Sequence, residues 1–206
     1  MHLSLDSGAW IDLHERWLDP DGERALSELL LRELAWEQRR IVIFGKHILQ
    51  PRLIAWAGVL PYRYSGQTLE ARPWPELARA VLEPLCRAVV ERSSVEFNHV
   101  LVNRYRDGND SMGYHADDEP ELGPDPVVAS LSLGEPRRFA LKRHKSAERA
   151  RTLELGRGSL LIMGGTCQRH YRHAILREPS VAGERVSLTF RRLLGPPRAA
   201  AVRGSA

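Results

Sequence analysis

A segment near the C-terminus, Glu184 to Leu193, reads ERVSLTFRRL and alternates between polar and apolar side chains. Alternation with a period of two predicts a β-strand whose successive side chains point to opposite faces. The apolar face must pack against other elements; it carries Val186, Leu188 and Phe190. The opposite face carries Arg185, Ser187, Thr189 and Arg191. This polar face either is solvated, as one side of an antiparallel sheet often is, or points into a sandwich where an anion offsets the buried charges.

The segments before it have the same strand-like character. From Val95 onward, short runs separated by Gly, Pro and Asp turns lie at Phe97–Arg106, Val127–Leu133, Arg138–Leu141, Thr152–Leu155, Ser159–Met163 and Tyr171–Leu176. In the first of these runs, period two places Asn103 and Tyr105 on the face of Phe97 and Leu101. Seven or eight short strands over about 100 residues favour an antiparallel sandwich or jelly roll.

The first 94 residues have a different pattern. Apolar residues at helical spacing predict helices over Gly22–Gln38 and from about Pro73 to Arg92, the second kinked or broken at Pro84. Between them, Arg40–His47 reads as a hairpin, and Leu60–Gly66 interleaves aromatic and basic residues. These aromatic residues either stack on bases or fill the core.

The composition is typical of a soluble globular protein. No apolar run approaches the roughly 18 residues that a membrane span needs, and the N-terminus lacks the pattern of a secretory signal. Two cysteines, Cys86 and Cys167, are too few for a disulfide framework and indicate a reducing compartment. Arginine accounts for 27 of the 30 basic residues, which favours either a nucleic-acid partner or a GC-rich genome.

Charge is unevenly distributed along the chain. Seven acidic residues and no Lys or Arg lie between Asp107 and Asp125, whereas eight basic and two acidic residues lie between Arg137 and Arg157. An acidic loop followed by a basic hairpin indicates two surfaces with different tasks, unless both are merely solvated loops.

The acidic loop contains a candidate metal site, His115-x-Asp117. Ligands at i and i+2 lie on one side of an extended chain, and His173, 56 positions after Asp117, supplies a third. Two histidines and one carboxylate with open coordination positions are typical of non-haem Fe(II) oxygenases. The open positions admit a 2-oxo acid and then oxygen, and Arg185, Arg191 and Thr189 are predicted to hold the distal carboxylate of that acid.

A second metal site is open to consideration. Cys167-x-x-His170-x-x-His173 is part of a zinc pattern, but no fourth ligand stands at zinc-ribbon spacing. That site would also leave Asp117 and Arg185 without a role.

The combined motif resembles the iron motif of the AlkB family of Fe(II)/2-oxoglutarate dioxygenases. It consists of Asn103-x-Tyr105-x-x-Gly108-x-Asp110-x-x-Gly113-x-His115-x-Asp117-Asp118-Glu119, then His173, then Arg185-Val186-Ser187-Leu188-Thr189-Phe190-Arg191. The resemblance covers about 41–194 and is strongest to the branch of the second and third human AlkB homologues, which repair alkylated DNA. It departs at Tyr171, where the family often has Trp.

The resemblance implies a mostly β fold with flanking helices, a double-stranded β-helix (jelly roll) with an N-terminal nucleotide-recognition lid. Residues 1–94 would form the N-terminal helices and the lid packed on the core, 95–194 the catalytic core, and 195–206 a disordered tail. The implied cofactors are Fe(II), held by His115, Asp117 and His173, and 2-oxoglutarate, held by Asn103, Tyr105, Arg185, Thr189 and Arg191.

The resemblance also implies substrate contacts in four places. They are a finger hairpin (Phe44, Gly45, Lys46), a lid segment (Tyr62, Tyr64), the pair after the iron motif (Asp118, Glu119) and a DNA-gripping loop (Arg143, His144, Lys145). The implied activity is oxidative demethylation of 1-methyladenine and 3-methylcytosine in DNA, a direct repair of alkylation damage.

Two alternatives remain at this point: the same chemistry on RNA, and a non-catalytic lesion-binding module. The expected partners are DNA or RNA with alkylated bases and molecular oxygen, with no membrane. The chain is expected to act as a monomer, in the cytoplasm of a bacterium or the nucleus of a eukaryote.

Overall fold

The computed structural model describes residues 1–43, 46–64 and 66–195. Phe44 and Gly45 of the predicted finger, and the predicted tail from 196 onward, lie outside the described residues.

The N-terminal part combines strands with two long helices. Its elements are β1 His2–Ser4, β2 Ala9–His14, α1 Pro20–Glu33, β3 Arg40–Ile43, β4 Lys46–Leu49, β5 Leu53–Gly58, β6 Tyr62–Tyr64, β7 Gln67–Leu69 and α2 Glu76–Ser93. Asp19 caps α1, because its side chain accepts hydrogen bonds from the backbone N–H groups of Asp21 and Gly22. Pro84 does not break α2: the helix continues through it from Glu76 to Ser93, and the Pro84 side chain is exposed.

The rest of the described chain is mostly β. Its elements are β8 His99–Tyr105, β9 Met112–His115, β10 Val128–Gly134, β11 Arg137–Arg143, β12 Arg151–Leu155, β13 Leu160–Gly165, a one-turn α3 Cys167–His170, β14 Tyr171–Ile175 and β15 Arg185–Arg191. Short 3-10 turns lie at Asp6–Gly8 and Pro120–Leu122. The strand β9, which ends on His115, was not predicted.

The last eight strands form two facing antiparallel sheets. One contains the order β13-β10-β15-β8 and the other is β12-β11-β14-β9. Strands that are consecutive in the chain repeatedly cross from one sheet to the other, which is the winding of a double-stranded β-helix. The predicted mostly β jelly roll is therefore confirmed.

Three N-terminal strands extend the first sheet to seven, in the order β1-β2-β13-β10-β15-β8-β5. Strand β2 pairs with β13, where Trp10 packs on Gly164 so closely that an added Cβ would lie 2.1 Å from its ring. Residues on both sides of the predicted boundary at 94 thus share one sheet. None of the described helices combines the length and apolar character needed to cross a membrane.

The apolar face of β15 packs as its alternation predicts. Val186, Leu188 and Phe190 are buried against α1 and α2, in a core with Leu30 and Leu82. Burying one such side chain contributes roughly 1.5–3 kcal/mol, so this face fixes β15 firmly. The opposite face must then point between the two sheets.

Candidate metal centre

The polar face of β15 lines a cavity between the sheets, together with residues of β8, β9 and β14. Arg185 is 1% exposed, Arg191 2% and Ser187 3%, whereas Thr189 is partly exposed. The solvated alternative for this face is therefore wrong. Two buried guanidinium groups need anionic or polar partners, since an unpaired buried charge costs several kcal/mol.

Three side chains of the predicted metal site converge at this cavity. His115 ends β9 and is the register partner of His173 on β14, and Asp117 follows two residues later. One ligand atom from each lies within 4.8 Å of the other two. His173 Nε2 and Asp117 Oδ2 are 3.6 Å apart, a gap that fits a cation between them better than a direct hydrogen bond.

The donor set fits a divalent cation such as Fe(II). Asp117 Oδ1 accepts hydrogen bonds from Arg191 Nε at 3.0 Å and Nη2 at 2.6 Å, whereas the buried Oδ2 has no partner among the described residues. His115 Nδ1 lies 3.0 Å from the carbonyl of Gly113, which can only accept. Nδ1 therefore carries the proton, and Nε2 keeps the lone pair that a metal requires.

Burial and neighbouring charges set the ionisation that metal binding needs. Burial, then the adjacent His115, lowers the pKa of His173 to about 3. Burial alone would raise the pKa of Asp117, but Arg191 and the two histidines outweigh it and lower this pKa to about 2. At neutral pH the imidazoles are neutral and the carboxylate is ionised, which is the form that binds a metal.

The rival zinc pattern does not assemble. The one metal-type cluster found among the described side chains is His115, Asp117 and His173, without Cys167. Cys167 is instead buried in the apolar core between the sheets, and burial raises the pKa of its thiol to about 12. It is an inert packing residue.

Arg185 provides the cavity with an unused anion-binding group. Its Nη2 donates to Ser132 Oγ at 2.9 Å, and its guanidinium lies 5.2 Å from the centre of the Tyr105 ring. Nε and Nη1 are buried and lack hydrogen-bond partners in the described part of the chain. These free N–H donors on a buried cation can hydrogen-bond an anionic carboxylate, so this end of the cavity fits 2-oxoglutarate.

The prediction that Arg185 and Arg191 hold the same carboxylate is wrong. They lie six residues apart on β15, a Cα separation of about 20 Å along the strand, and Arg191 is paired with Asp117. Arg191 therefore serves the metal end of the cavity, where its Nη1 is still without a partner among the described residues. Its role toward 2-oxoglutarate remains a prediction.

Sequence reasoning missed two polar residues that support the site. Gln168 on α3 is buried, and its Oε1 accepts the backbone N–H of Asp117 at 3.0 Å. Arg52 is buried just before β5, and its Nε donates to Oδ1 of Asn103 at 2.9 Å. No motif marks either residue, because the tertiary fold alone brings each of them to the site.

The two tyrosines of the predicted lid segment do not form an exposed stacking platform. Tyr62 is fully buried, with its ring edge-on to His99 at 4.9 Å and the Arg191 guanidinium 5.5 Å from its centre. Tyr64 is 4% exposed, and its hydroxyl accepts from Arg52. The alternative that these aromatic residues fill the core describes them correctly.

The other predicted substrate contacts lie at or near the surface. Lys46, Asp118, His144 and Lys145 are exposed. The other two predicted contacts, Arg143 and Glu119, interact with neighbouring charged groups. Arg143 forms a 3.1 Å ion pair with Asp6, and Glu119 is half-buried, with an elevated pKa caused by burial and by Asp117.

Comparison with known proteins agrees with this geometry. A sequence model of the 2OG-Fe(II) oxygenase superfamily matches residues 11–191. The human alpha-ketoglutarate-dependent dioxygenase alkB homolog 3 is 38% identical over 208 residues, covering 96% of this chain and 71% of the human protein. The chain belongs to the AlkB family of 2OG-Fe(II) oxygenases.

Other relatives of this chain are also named as AlkB homologues. Mouse alkB homolog 3 is 39% identical over 183 residues, covering 84% of this chain and 62% of the mouse protein. Human DNA oxidative demethylase ALKBH2 is 40% identical over 164 residues, covering 75% and 61% of the two chains. The chain thus spans about three fifths of the length of these two relatives.

A solved structure supports the fold of this AlkB-family chain. The structure of OsALKBH1 has a TM-score of 0.63 at 19% identity and covers 93% of this chain and 100% of the other. At this identity the likeness concerns the fold alone. Family membership implies that Fe(II) and 2-oxoglutarate are the cofactors. The unpartnered Oδ2 of Asp117 fits the metal, and the unpartnered donors of Arg185 fit 2-oxoglutarate.

Proposed function

We propose that this chain oxidatively demethylates N-alkylated bases, of the 1-methyladenine and 3-methylcytosine type, in DNA. The observation that carries the proposal is the convergence of His115, Asp117 and His173 on one cavity with the unpaired Arg185. Relatives named DNA oxidative demethylase support the choice of DNA and of demethylation.

When bound, Fe(II) would use oxygen and 2-oxoglutarate to hydroxylate the N-methyl group, and the hydroxymethyl base then loses formaldehyde. The protein's own residues prepare that site. Arg191 neutralises Oδ1 of Asp117 and keeps Oδ2 turned toward the histidines, and Gln168 holds the Asp117 backbone. Arg185 fixes the far carboxylate of 2-oxoglutarate, so that this cofactor enters the cavity in one orientation.

Asp118 and Glu119 favour a cationic base in this proposal. Methylation at these ring nitrogens adds a positive charge and prevents normal pairing, so the lesion leaves the stack at lower cost than a paired base. Asp118 is exposed directly after the metal ligand Asp117, and Oε2 of Glu119 is buried without a hydrogen-bond partner in the described ranges. Their charges would attract 1-methyladenine and 3-methylcytosine more than neutral lesions.

Asp118→Asn should reduce kcat/KM for 3-methylcytosine about two- to fivefold while changing that for neutral 3-methylthymine little, because exposed charge pairs contribute roughly 0.2–1 kcal/mol. Glu119→Gln, which removes a half-buried charge, should have the larger effect. Asp125→Asn is the matched control, since Asp125 lies in the same acidic segment but pairs with Arg169. An equal loss on both lesions would dismiss selection by charge.

The function is tested by mass spectrometry of methylated oligonucleotides incubated with Fe(II), 2-oxoglutarate and oxygen. We expect loss of 14 mass units from DNA carrying 3-methylcytosine, with one succinate per demethylation. Faster conversion of the matching RNA would favour RNA as the substrate. Lesion binding without succinate would identify a non-catalytic binding module.

The proposal also concerns location and assembly. We infer that the chain acts as a monomer, since the three ligands and Arg185 all come from one chain. It acts where the DNA is, in the cytoplasm if the source is bacterial and in the nucleus if it is eukaryotic.

A further inference from the structure

Arg52 is a buried cation whose hydrogen-bond partners are all neutral. It is 4% exposed, and its donors reach Oδ1 of Asn103 at 2.9 Å, the hydroxyl of Tyr64 at 2.6 Å and the carbonyl of Ser111 at 3.3 Å. Burying a guanidinium group without a carboxylate destabilises a fold, because neutral acceptors only partly replace its hydration. The buried Arg191, by contrast, pairs with Asp117. The position of Arg52 therefore calls for a functional reason.

The contact with Arg52 determines how the side-chain amide of Asn103 is oriented. A guanidinium group has only donors, so the Asn103 atom that faces it must be the oxygen. The amide nitrogen is then turned away from Arg52, and Asn103 lines the cavity together with Arg185, His115 and His173. Asn103 Nδ2 makes no hydrogen bond within the described residues, so its two N–H groups are available there.

This orientation matters because an amide can present either a donor or an acceptor. With Nδ2 toward the cavity, Asn103 donates to an anionic ligand. Rotated by half a turn, it would present Oδ1, which repels a carboxylate. Without a partner that fixes the oxygen, both orientations are populated, and part of the binding energy is spent on selecting the correct one.

We propose that Arg52 is a positioning residue for 2-oxoglutarate, acting through Asn103. It holds Oδ1 of Asn103 outside the cavity, so that the amide donors face the dicarboxylate. The inference rests on the 2-oxoglutarate cavity described above and does not depend on which nucleic acid is the substrate.

The test is a double-mutant cycle on 2-oxoglutarate binding, with Mn(II) in place of Fe(II) so that no turnover occurs. We expect Arg52→Met and Asn103→Ala each to weaken binding of 2-oxoglutarate about tenfold in calorimetry, the value of one hydrogen bond to a charged group. The double variant should bind no more weakly than Asn103→Ala alone. Arg104→Met is the matched control, because Arg104 is the next residue on β8 but faces outward and pairs with Glu184.

Two outcomes would overturn the inference. One is unchanged binding in Arg52→Met, and the other is a full additional loss when Arg52→Met is added to Asn103→Ala, which would show an effect independent of the amide.

Should Arg52→Met fail to fold, Arg52→Gln is the second variant, because it retains a donor for Asn103. It should bind 2-oxoglutarate within about threefold of wild type, and a tenfold loss in a folded Arg52→Gln protein would also contradict the proposal. Absence of 2-oxoglutarate binding in the wild-type chain would instead refute the cavity assignment itself.

Discussion

His115→Ala is expected to abolish both metal binding and succinate formation. His115 contributes one of three ligands: the Gly113 carbonyl holds its Nδ1, its Nε2 is left for the metal, and alanine supplies no donor atom in its place. His115 is only partly buried, so the fold should survive. Calorimetry with Mn(II) and mass spectrometry of succinate measure the two losses.

The matched control for this variant is His170→Ala. His170 is a partly exposed histidine just before β14, outside the cluster of His115, Asp117 and His173. Metal binding and turnover should stay at the wild-type level there. Residual succinate formation by a folded His115→Ala protein would remove His115 from the metal site.

Arg185→Met is expected to weaken 2-oxoglutarate binding at least a hundredfold while Mn(II) binding is retained. The buried Nε and Nη1 of Arg185 have no other partner in the described structure, so these donors are available for a carboxylate, a charge-assisted interaction of roughly 3 kcal/mol or more. Arg185→Lys keeps the charge but loses the planar set of donors, and its affinity should lie between those of the wild type and Arg185→Met.

Stability should distinguish this role from a structural one. Removing an unpaired buried cation relieves a desolvation penalty, so Arg185→Met should leave the free energy of unfolding unchanged or raise it. Arg137 is equally buried but donates to the carbonyls of Asp107, Asp110 and Leu176 and pairs with Glu178. Arg137→Met should therefore destabilise the protein by roughly 3–5 kcal/mol. If Arg185→Met proved equally destabilising in urea denaturation, Arg185 would be a structural residue.

Local patterns in the sequence were sufficient for the fold class and for the metal ligands. The alternation from Arg185 to Arg191 encodes one apolar and one polar face, and the structure packs the first on helices and turns the second inward. The spacing of His115 and Asp117 places both on one side of a short extended segment, so their convergence needs only one distant partner. The family resemblance supported His173 as that partner, and family membership was confirmed by the comparisons.

Residues whose neighbours come from other strands were assigned less well. Tyr62 and Tyr64 resemble a stacking platform by composition, yet both are buried, because β6 packs on β5 and β8. Composition records which side chains are aromatic and basic, but not which surface covers them. The strands β1, β2 and β5 escaped prediction for the same reason, since their stability comes from pairing with the core sheet.

The sequence alone therefore determined that the chain forms a jelly roll with two histidines and one carboxylate for iron, because periodicity and motif spacing are local properties of the chain. Only the tertiary structure decided that Arg191 pairs with Asp117 and that Arg52 orients Asn103, contacts that join residues 74 and 51 positions apart. Such contacts depend on strand order and register, which set the distance between side chains that the sequence keeps far apart.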